Sequence, residues 1–252
     1  MDITAAAMLP AQLASRVTDT ALFTYYDDQS GERTELSVAQ LGGWAARTMR
    51  LLQQGCGLGT GSRVAILLPP HWQTAAVFLG AWAAGMATTF HPVPGLPATS
   101  SGGRETFDAT FVSAKRVGDW LEDKPEARHQ FVLGLTADAF AGSGDPTGYR
   151  DYLTEAGRYP DSMPSPSDLA ANGPALVDDS PYEEWDRLTQ SIVESLGLRP
   201  GDRLLIDAAK HEHPVWWLLA PLAVGASVVL CANLDPALIA ERSSAERVTR
   251  IL

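Results

Sequence analysis

The chain has 252 residues, 45% of them hydrophobic and 19% charged, and a formal net charge of −11. That length and composition belong to a globular protein with a sizeable core, built as one large domain or two lobes. The negative balance works against nucleic acid or an anionic membrane surface as the main partner, and neither is expected.

Ala5 to Val17 reads as a short helix interrupted by Pro10. Met1 to Leu13 lacks the basic start and apolar run of a secretory leader. With only Cys56 and Cys231 as thiols, a reducing cytoplasm and two unpaired cysteines are expected. Leu22 to Tyr26 is rich in strand formers, and Asp27 to Gly31 turns the chain into a second strand, Arg33 to Leu36. Ser37 and Gln40 make a capping box. The helix it opens gathers Val38, Leu41, Ala45, Thr48, Met49 and Leu52 on one face, and Gly55 ends it.

Gly57 to Phe90 then forms a unit that recurs without a gap at Gly197 to Leu230. Gly57 matches Gly197, Gly61 matches Gly201, Arg63 matches Arg203, His71 matches His211, and Gly85 matches Gly225. Each copy is a glycine turn, an apolar strand, a loop with histidine, an apolar helix, a glycine stop and a second strand. No Asp, Glu, Lys or Arg stands between Arg63 and Arg104, so this segment must be covered on both faces. The uncharged run Pro214 to Leu234 reaches the length of a membrane span. Pro214, Pro221 and Gly225 break it, and a buried helix followed by a buried strand explains it better.

His91 to Gly103 is a Pro-, Gly- and Ser-rich connection. Phe107 to Val112 and Gln130 to Leu135 read as strands, with a helix at Ala114 to Leu121 between them, and Tyr149 to Glu155 as a helical turn. A Pro/Ser/Gly-rich connection at 157–173 separates a first lobe, 1–156, from a second, 174–252, unless all form one compact domain. Ala175 to Val177 is a short strand. Ser180 to Glu183 is a second capping box with Pro181 at the first helical position, opening a helix to Leu196. Leu234 to Glu241 and Ser243 to Leu252 are expected to be helical. The fold class is therefore α/β: two pseudo-repeated βαβ lobes with largely parallel sheets and helices on both faces.

Candidate chemistry is sparse. The glycines from Gly55 to Gly61 lead from a helix into a strand, the reverse of a phosphate-binding turn, which leads from strand to helix. His211 and His213 resemble half a metal site, but Asp207 and Cys231 are the only further ligands nearby in sequence, so no metal is expected. There is no G-x-S-x-G nucleophile elbow. Cys56 follows a helix rather than heading one, so its thiol is not activated. No catalytic residues can be assigned.

The order of features nevertheless resembles the start of the adenylate-forming enzymes: acyl-CoA synthetases, peptide-synthetase adenylation domains and luciferases. The resemblance rests on T-A-L-F-T-Y, E-L-S-V-A-Q-L, G-L-G-T-G-S-R-V-A-I-L-L-P-P and A-W-A-A-G-M. The second copy, L-R-P-G-D-R-L-L-I through L-A-P-L-A-V-G-A-S-V-V-L, is similar to the family segment that follows its phosphate loop. The resemblance implies the two-lobed N-terminal domain of that family. It also places Lys210 to His213 near the acyl pocket, so Lys210, His211, His213 and Trp217 are the candidate ligand-binding residues. Trp216 and Trp217 equally suit a core.

The departures bear on activity. In the family a Ser/Thr/Gly-rich loop ending in Pro-Lys-Gly wraps the ATP phosphates, between a strand and the helix before the second copy. Here Asp178, Asp179 and Ser180 stand at that position, without the glycines or the lysine, and the two carboxylates would repel a triphosphate. The family's Tyr-Gly-x-Thr-Glu segment, ribose-binding Asp and C-terminal Lys have no counterpart. The resemblance thus implies a degenerate homologue that does not adenylate. It is expected to be a small-molecule-binding or regulatory module for a carboxylic acid, nucleotide or CoA-type ligand, with no cofactor, and open to homo-oligomerisation. The alternatives are a scaffold for protein interactions and half of a split ligase.

Overall fold

The computed structural model describes residues 21–90, 107–116, 127–136, 148–162, 176–177 and 180–252. The expected helix at Ala5 to Val17, the connection at His91 to Gly103, and most of the helix expected at Ala114 to Leu121 lie outside them. So do residues 163–173 of the inter-lobe connection, and Asp178 and Asp179.

The first hairpin joins β1 (Ala21–Asp27) to β2 (Glu32–Ser37). Its turn closes through Gly31, whose N–H donates to the Asp27 carbonyl and whose φ is +76°, a backbone state that glycine adopts without cost. The capping box that follows is formed in full: Gln40 N–H donates to Ser37 Oγ, and Ser37 N–H to Gln40 Oε1. It opens α1 (Val38–Arg50), which continues through a π-helical turn to Gly55. All six residues expected on its apolar face are buried.

The duplicated unit is geometrically duplicated. In the first copy β3 (Arg63–Leu67), α2 (Trp72–Ala83) and β4 (Ala87–Phe90) follow one another, and Arg63 pairs with Ala87 in parallel. The second has β10 (Arg203–Asp207) and β11 (Ser227–Ala232), with Arg203 paired to Ser227 in the same sense. The matched glycines carry matched positive φ: +69° and +58° at Gly57 and Gly197, +87° and +85° at Gly61 and Gly201, +70° and +76° at Gly85 and Gly225. The copies differ in their helices. Every residue of α2 is buried, whereas the second begins as a π-helical turn, Val215–Leu219, before α5 (Ala220–Val224). Pro221 has no N–H to offer the preceding turn, which accounts for the altered winding there.

The remaining elements are β5 (Phe107–Ser113), β6 (Ala127–Leu133), β7 (Arg150–Asp151), α3 (Tyr152–Ala156), β8 (Leu176–Val177), β9 (Ser180–Pro181), α4 (Tyr182–Leu196), α6 (Ile239–Ala245) and β12 (Arg250–Ile251). Two sheets result, ordered β7-β6-β5-β3-β4-β8-β9 and β12-β10-β11-β1-β2. All neighbours are parallel except β8 with β9 and β1 with β2. Each sheet draws strands from both sides of residues 157–173. Phe23 of β1 pairs with Val228 of β11, and Ala87 of β4 with Leu176 of β8.

Two expectations fail locally. Ser180 and Pro181 pair with β8 as a strand, so α4 starts at Tyr182 and not at Pro181. The helix expected over Ser243 to Leu252 stops at Ala245, where Arg247 turns left-handed (φ +54°) and the β-branched run after it returns as β12 beside β10.

The central strands β3, β5, β10 and β11 are buried on both faces over most of their length, as parallel strands covered from both sides are. Val64 and Ile66 of β3, Leu204 and Ile206 of β10, and Phe78 and Trp82 of α2 share one core between the sheets. The alternate residues face outward: Ala65 and Leu67 enter a second cluster, and Leu205, Val229 and Cys231 a third. Among the described residues no helix is long and apolar enough to cross a membrane.

A node of charges ties the hairpin to the second copy. Glu246, just beyond α6, accepts from Tyr26 Oη (2.6 Å), Arg33 and Arg203, while Arg203 also reaches Thr24. Burial alone raises the Glu246 pKa, but the hydrogen bonds from Tyr26, Arg203 and Arg33 outweigh it and hold it at about 2.

Candidate functional site

In parallel α/β sheets, ligands bind in the crevice beyond the carboxyl ends of the strands. Here six such ends, three from each sheet, meet around one cleft of about 370 Å³. The seven-stranded sheet contributes Pro69 and Pro70 after β3, Lys115 and Arg116 after β5, and Leu135 and Thr136 after β6. The other sheet contributes Tyr25 and Asp27 of β1, Ala208, Ala209 and Glu212 after β10, and Asn233 after β11.

Two features mark the cleft as more than a seam. Three non-glycine residues among those described have positive φ, and two of them, Leu135 (+55°) and Asn233 (+49°), line it. Leucine is costly in that region, and such conformations cluster at ligand sites. The second feature is fixed polarity. Asp27 is partly desolvated, which raises its pKa, but donors from Asn233, the Gln29 N–H and Ser30 lower it further, so it stays ionised. Burial, with the Asp27 and Glu32 carboxylates, pushes the Tyr25 hydroxyl well up, so it stays protonated. Lys115 and Arg116 stand on the opposite wall, with Arg116 Nη1 buried and without a hydrogen-bond partner.

None of the expected ligand-binding residues, Lys210, His211, His213 and Trp217, is among those lining the cleft. Their loop enters through Ala208, Ala209 and Glu212. Lys210 is exposed and pairs with Asp207 at 3.1 Å. His211 lies against Trp216 at 5.5 Å, its pKa lowered by burial and by Lys210, against the pull of Asp207. His213 leaves the cleft for an aromatic group, stacked on Trp185 of α4 at 4.8 Å and edge-on to Phe90 of β4. Burial lowers its pKa as well. Trp217 is fully buried, its indole N–H donating to the Glu212 carbonyl at 3.0 Å. It braces the loop from beneath. Among the described residues no group of three His, Cys, Asp or Glu side chains is arranged for a metal ion.

β8 and β9 pair antiparallel, Val177 with Ser180. Only residues 178 and 179 lie between them in the chain. The rest of the cleft lining, with Asp27, Arg116 and Leu135, carries no motif. Its one sequence signal is that each residue stands at or just after the end of an apolar strand.

No family model matches the chain. A protein of Mycobacterium tuberculosis (strain ATCC 25618 / H37Rv) described as a TIGR03089 family protein is 38% identical over 234 residues, 91% of this chain and 90% of the relative. Among solved structures, a putative long-chain-fatty-acid CoA ligase from Rhodopseudomonas palustris CGA009 superposes with a TM-score of 0.68 at 19% identity, covering 99% of this chain and 63% of the ligase. The Brucella canis acyl-CoA synthetase gives 0.68 at 16% identity, with 98% and 46% covered. The anthranilate CoA ligase AuaEII, solved with anthranoyl-AMP, gives 0.62 at 17% identity, with 96% and 47% covered. The fold is thus that of the N-terminal domains of acyl-CoA synthetases, and the chain spans less than two thirds of each of these solved proteins.

Proposed function

The chain belongs to the TIGR03089 family, and we propose that it is a non-catalytic homologue of the adenylate-forming enzymes that binds a small ligand in the cleft between its sheets. The observation that carries this reading is the β8–β9 hairpin. A loop that wraps a triphosphate needs several residues with free backbone N–H groups and a cation. Here two residues join the strands, and in sequence they are Asp178 and Asp179. Their carboxylates oppose a polyanion rather than attract one.

The cleft supports the binding half of the proposal. It has room for a small molecule, cations on one wall, ionised Asp27 on the other, and a strained backbone at Leu135 and Asn233. AuaEII is solved with an acyl-adenylate, which makes a carboxylic acid, AMP or a CoA-type compound the first ligands to test. The role is regulatory, coupling occupancy of the cleft to a partner or to another copy of the chain. The two buried thiols suit work in a reducing cytoplasm.

The test combines thermal stabilisation with pyrophosphate exchange. Stabilisation by an acid, AMP, CoA or an acyl-adenylate mimic, without exchange, is the expected result. Exchange by the purified chain refutes the non-catalytic half. No shift with any of these compounds refutes the binding half and favours a scaffold.

A further inference from the structure

A second cavity, of about 770 Å³, opens at the other end of the five-stranded sheet. It lies where β1, β10 and β11 begin, at Ala21, Arg203 and Ser227, whereas the cleft lies where those strands end. Its volume is within the range of small-molecule sites. Leu22, Val38 and Ala226, all buried, give it an apolar part.

The charges around this cavity are paired off, with one exception. Arg33 bonds to Glu35 and Glu246, and Arg203 to Glu246. Asp202 is held by Arg250 at 2.9 Å. Arg247 lines the cavity too, yet its side chain forms no hydrogen bond or ion pair among the described residues. One guanidinium is thus left over, a local surplus of positive charge on a chain whose net charge is −11.

The backbone at Arg247 also calls for a reason. Beyond α6, Arg247 N–H donates to the Ser244 carbonyl and Val248 N–H to the Ser243 carbonyl at 2.9 Å, the paired bonds of a Schellman motif. Glycine is the usual occupant of its left-handed position, where Arg247 has φ +54°, and arginine is strained there. Leu135 and Asn233, the other described non-glycine residues with positive φ, line the cleft. A cation at a helix end favours the dipole, but that role would bring the guanidinium onto the last carbonyls, and it makes no such bond.

We propose that this cavity binds a small organic monoanion, its carboxylate on the Arg247 guanidinium and its apolar body against Leu22, Val38 and Ala226. A guanidinium matches a carboxylate through two parallel hydrogen bonds. Glu35, Asp202 and Glu246 penalise a second negative charge on the ligand, which disfavours a phosphate dianion or a nucleotide. The site is separate from the cleft and does not rest on the reading of the cleft.

Hexanoate, hexanol and hexyl phosphate, titrated into the isotope-labelled full chain, test it by NMR. The amide signals of Gly201, Gly225, Ala226 and Arg247 report on this cavity, and those of Gly134, Leu135, Ala208 and Ala209 on the cleft. Hexanoate is expected to shift the first set, binding there about tenfold more tightly than hexanol and more tightly than hexyl phosphate. Arg247→Gly removes the guanidinium and suits the left-handed backbone. Its Tm should equal or exceed that of the unaltered chain, while the affinity of hexanoate read from the first set falls about tenfold. Arg116→Gln should leave that affinity unchanged. Hexanoate that shifts only the second set, or neither, overturns the proposal. So does an Arg247→Gly variant that binds hexanoate in the cavity as tightly as the unaltered chain. Tighter binding of hexyl phosphate there overturns the assignment to a monoanion.

Discussion

Glu246→Gln measures how firmly the hairpin is tied to the second copy. Glu246 has an ordinary pKa of 4.5 and is held at about 2 in the folded chain. A carboxyl whose pKa is depressed by folding stabilises at pH values above its unfolded pKa, and the effect is lost as pH falls through the folded one. A difference of this size is worth about 3 kcal/mol at pH 7 and about 1.4 kcal/mol at pH 3. Glutamine keeps the shape and removes the charge, so Arg33 and Arg203 lose their shared carboxylate. For a chain of this length the loss lowers Tm by roughly 10 °C at pH 7. Urea unfolding of both proteins at pH 7 and pH 3 gives the free energies directly. The variant's deficit should shrink by about half between the two. A deficit under about 1 kcal/mol at pH 7, or one of equal size at both pH values, refutes the assigned electrostatics.

Other perturbations test the packing and the site. A Cβ at Gly80 would stand 2.5 Å from Thr48 Cβ and 2.8 Å from the Ala45 carbonyl, where α1 and α2 touch; Gly80→Ala should cost about 1–3 kcal/mol in urea unfolding, against a gain near 1 kcal/mol expected at an open helical site. Cys56 and Cys231 are buried, and burial raises both thiol pKa values, so a thiol reagent should titrate neither in the native protein and both in denaturant. His213 is stacked on Trp185, and burial lowers its pKa; tryptophan emission in the folded protein should change at a pH below that of an ordinary imidazole, whereas in His213→Leu no such step should appear. Arg116→Gln should weaken binding of any carboxylate probe in the cleft about tenfold or more, without lowering Tm in its absence.

The duplicated core was legible because it rests on local necessities. Gly57, Gly61 and Gly85 recur as Gly197, Gly201 and Gly225, and each pair shares a left-handed backbone that other residues resist. The capping box at Ser37 and the stripe on α1 were legible for the same reason: their partners lie three or four residues away. The pairing of β1 with β11 was not, since Phe23 and Val228 are brought together only by the tertiary fold. Two-residue strands such as β9 and β12 are too short to show a period; their pairing is decided by the neighbours they meet. The Lys210 to His213 loop was singled out by the resemblance alone; the repeat marks it only as a loop that carries histidine. The opposite wall is assembled from the ends of strands scattered along the chain, and its left-handed Leu135 contradicts the propensity of its own residue.

ATP–pyrophosphate exchange by the purified chain, across aliphatic, aromatic and hydroxylated carboxylic acids, is the most direct test of the account. Exchange no faster than in a protein-free blank is the predicted result, alongside a thermal shift from at least one of the same acids. Formation of an acyl-adenylate by the chain alone would contradict it.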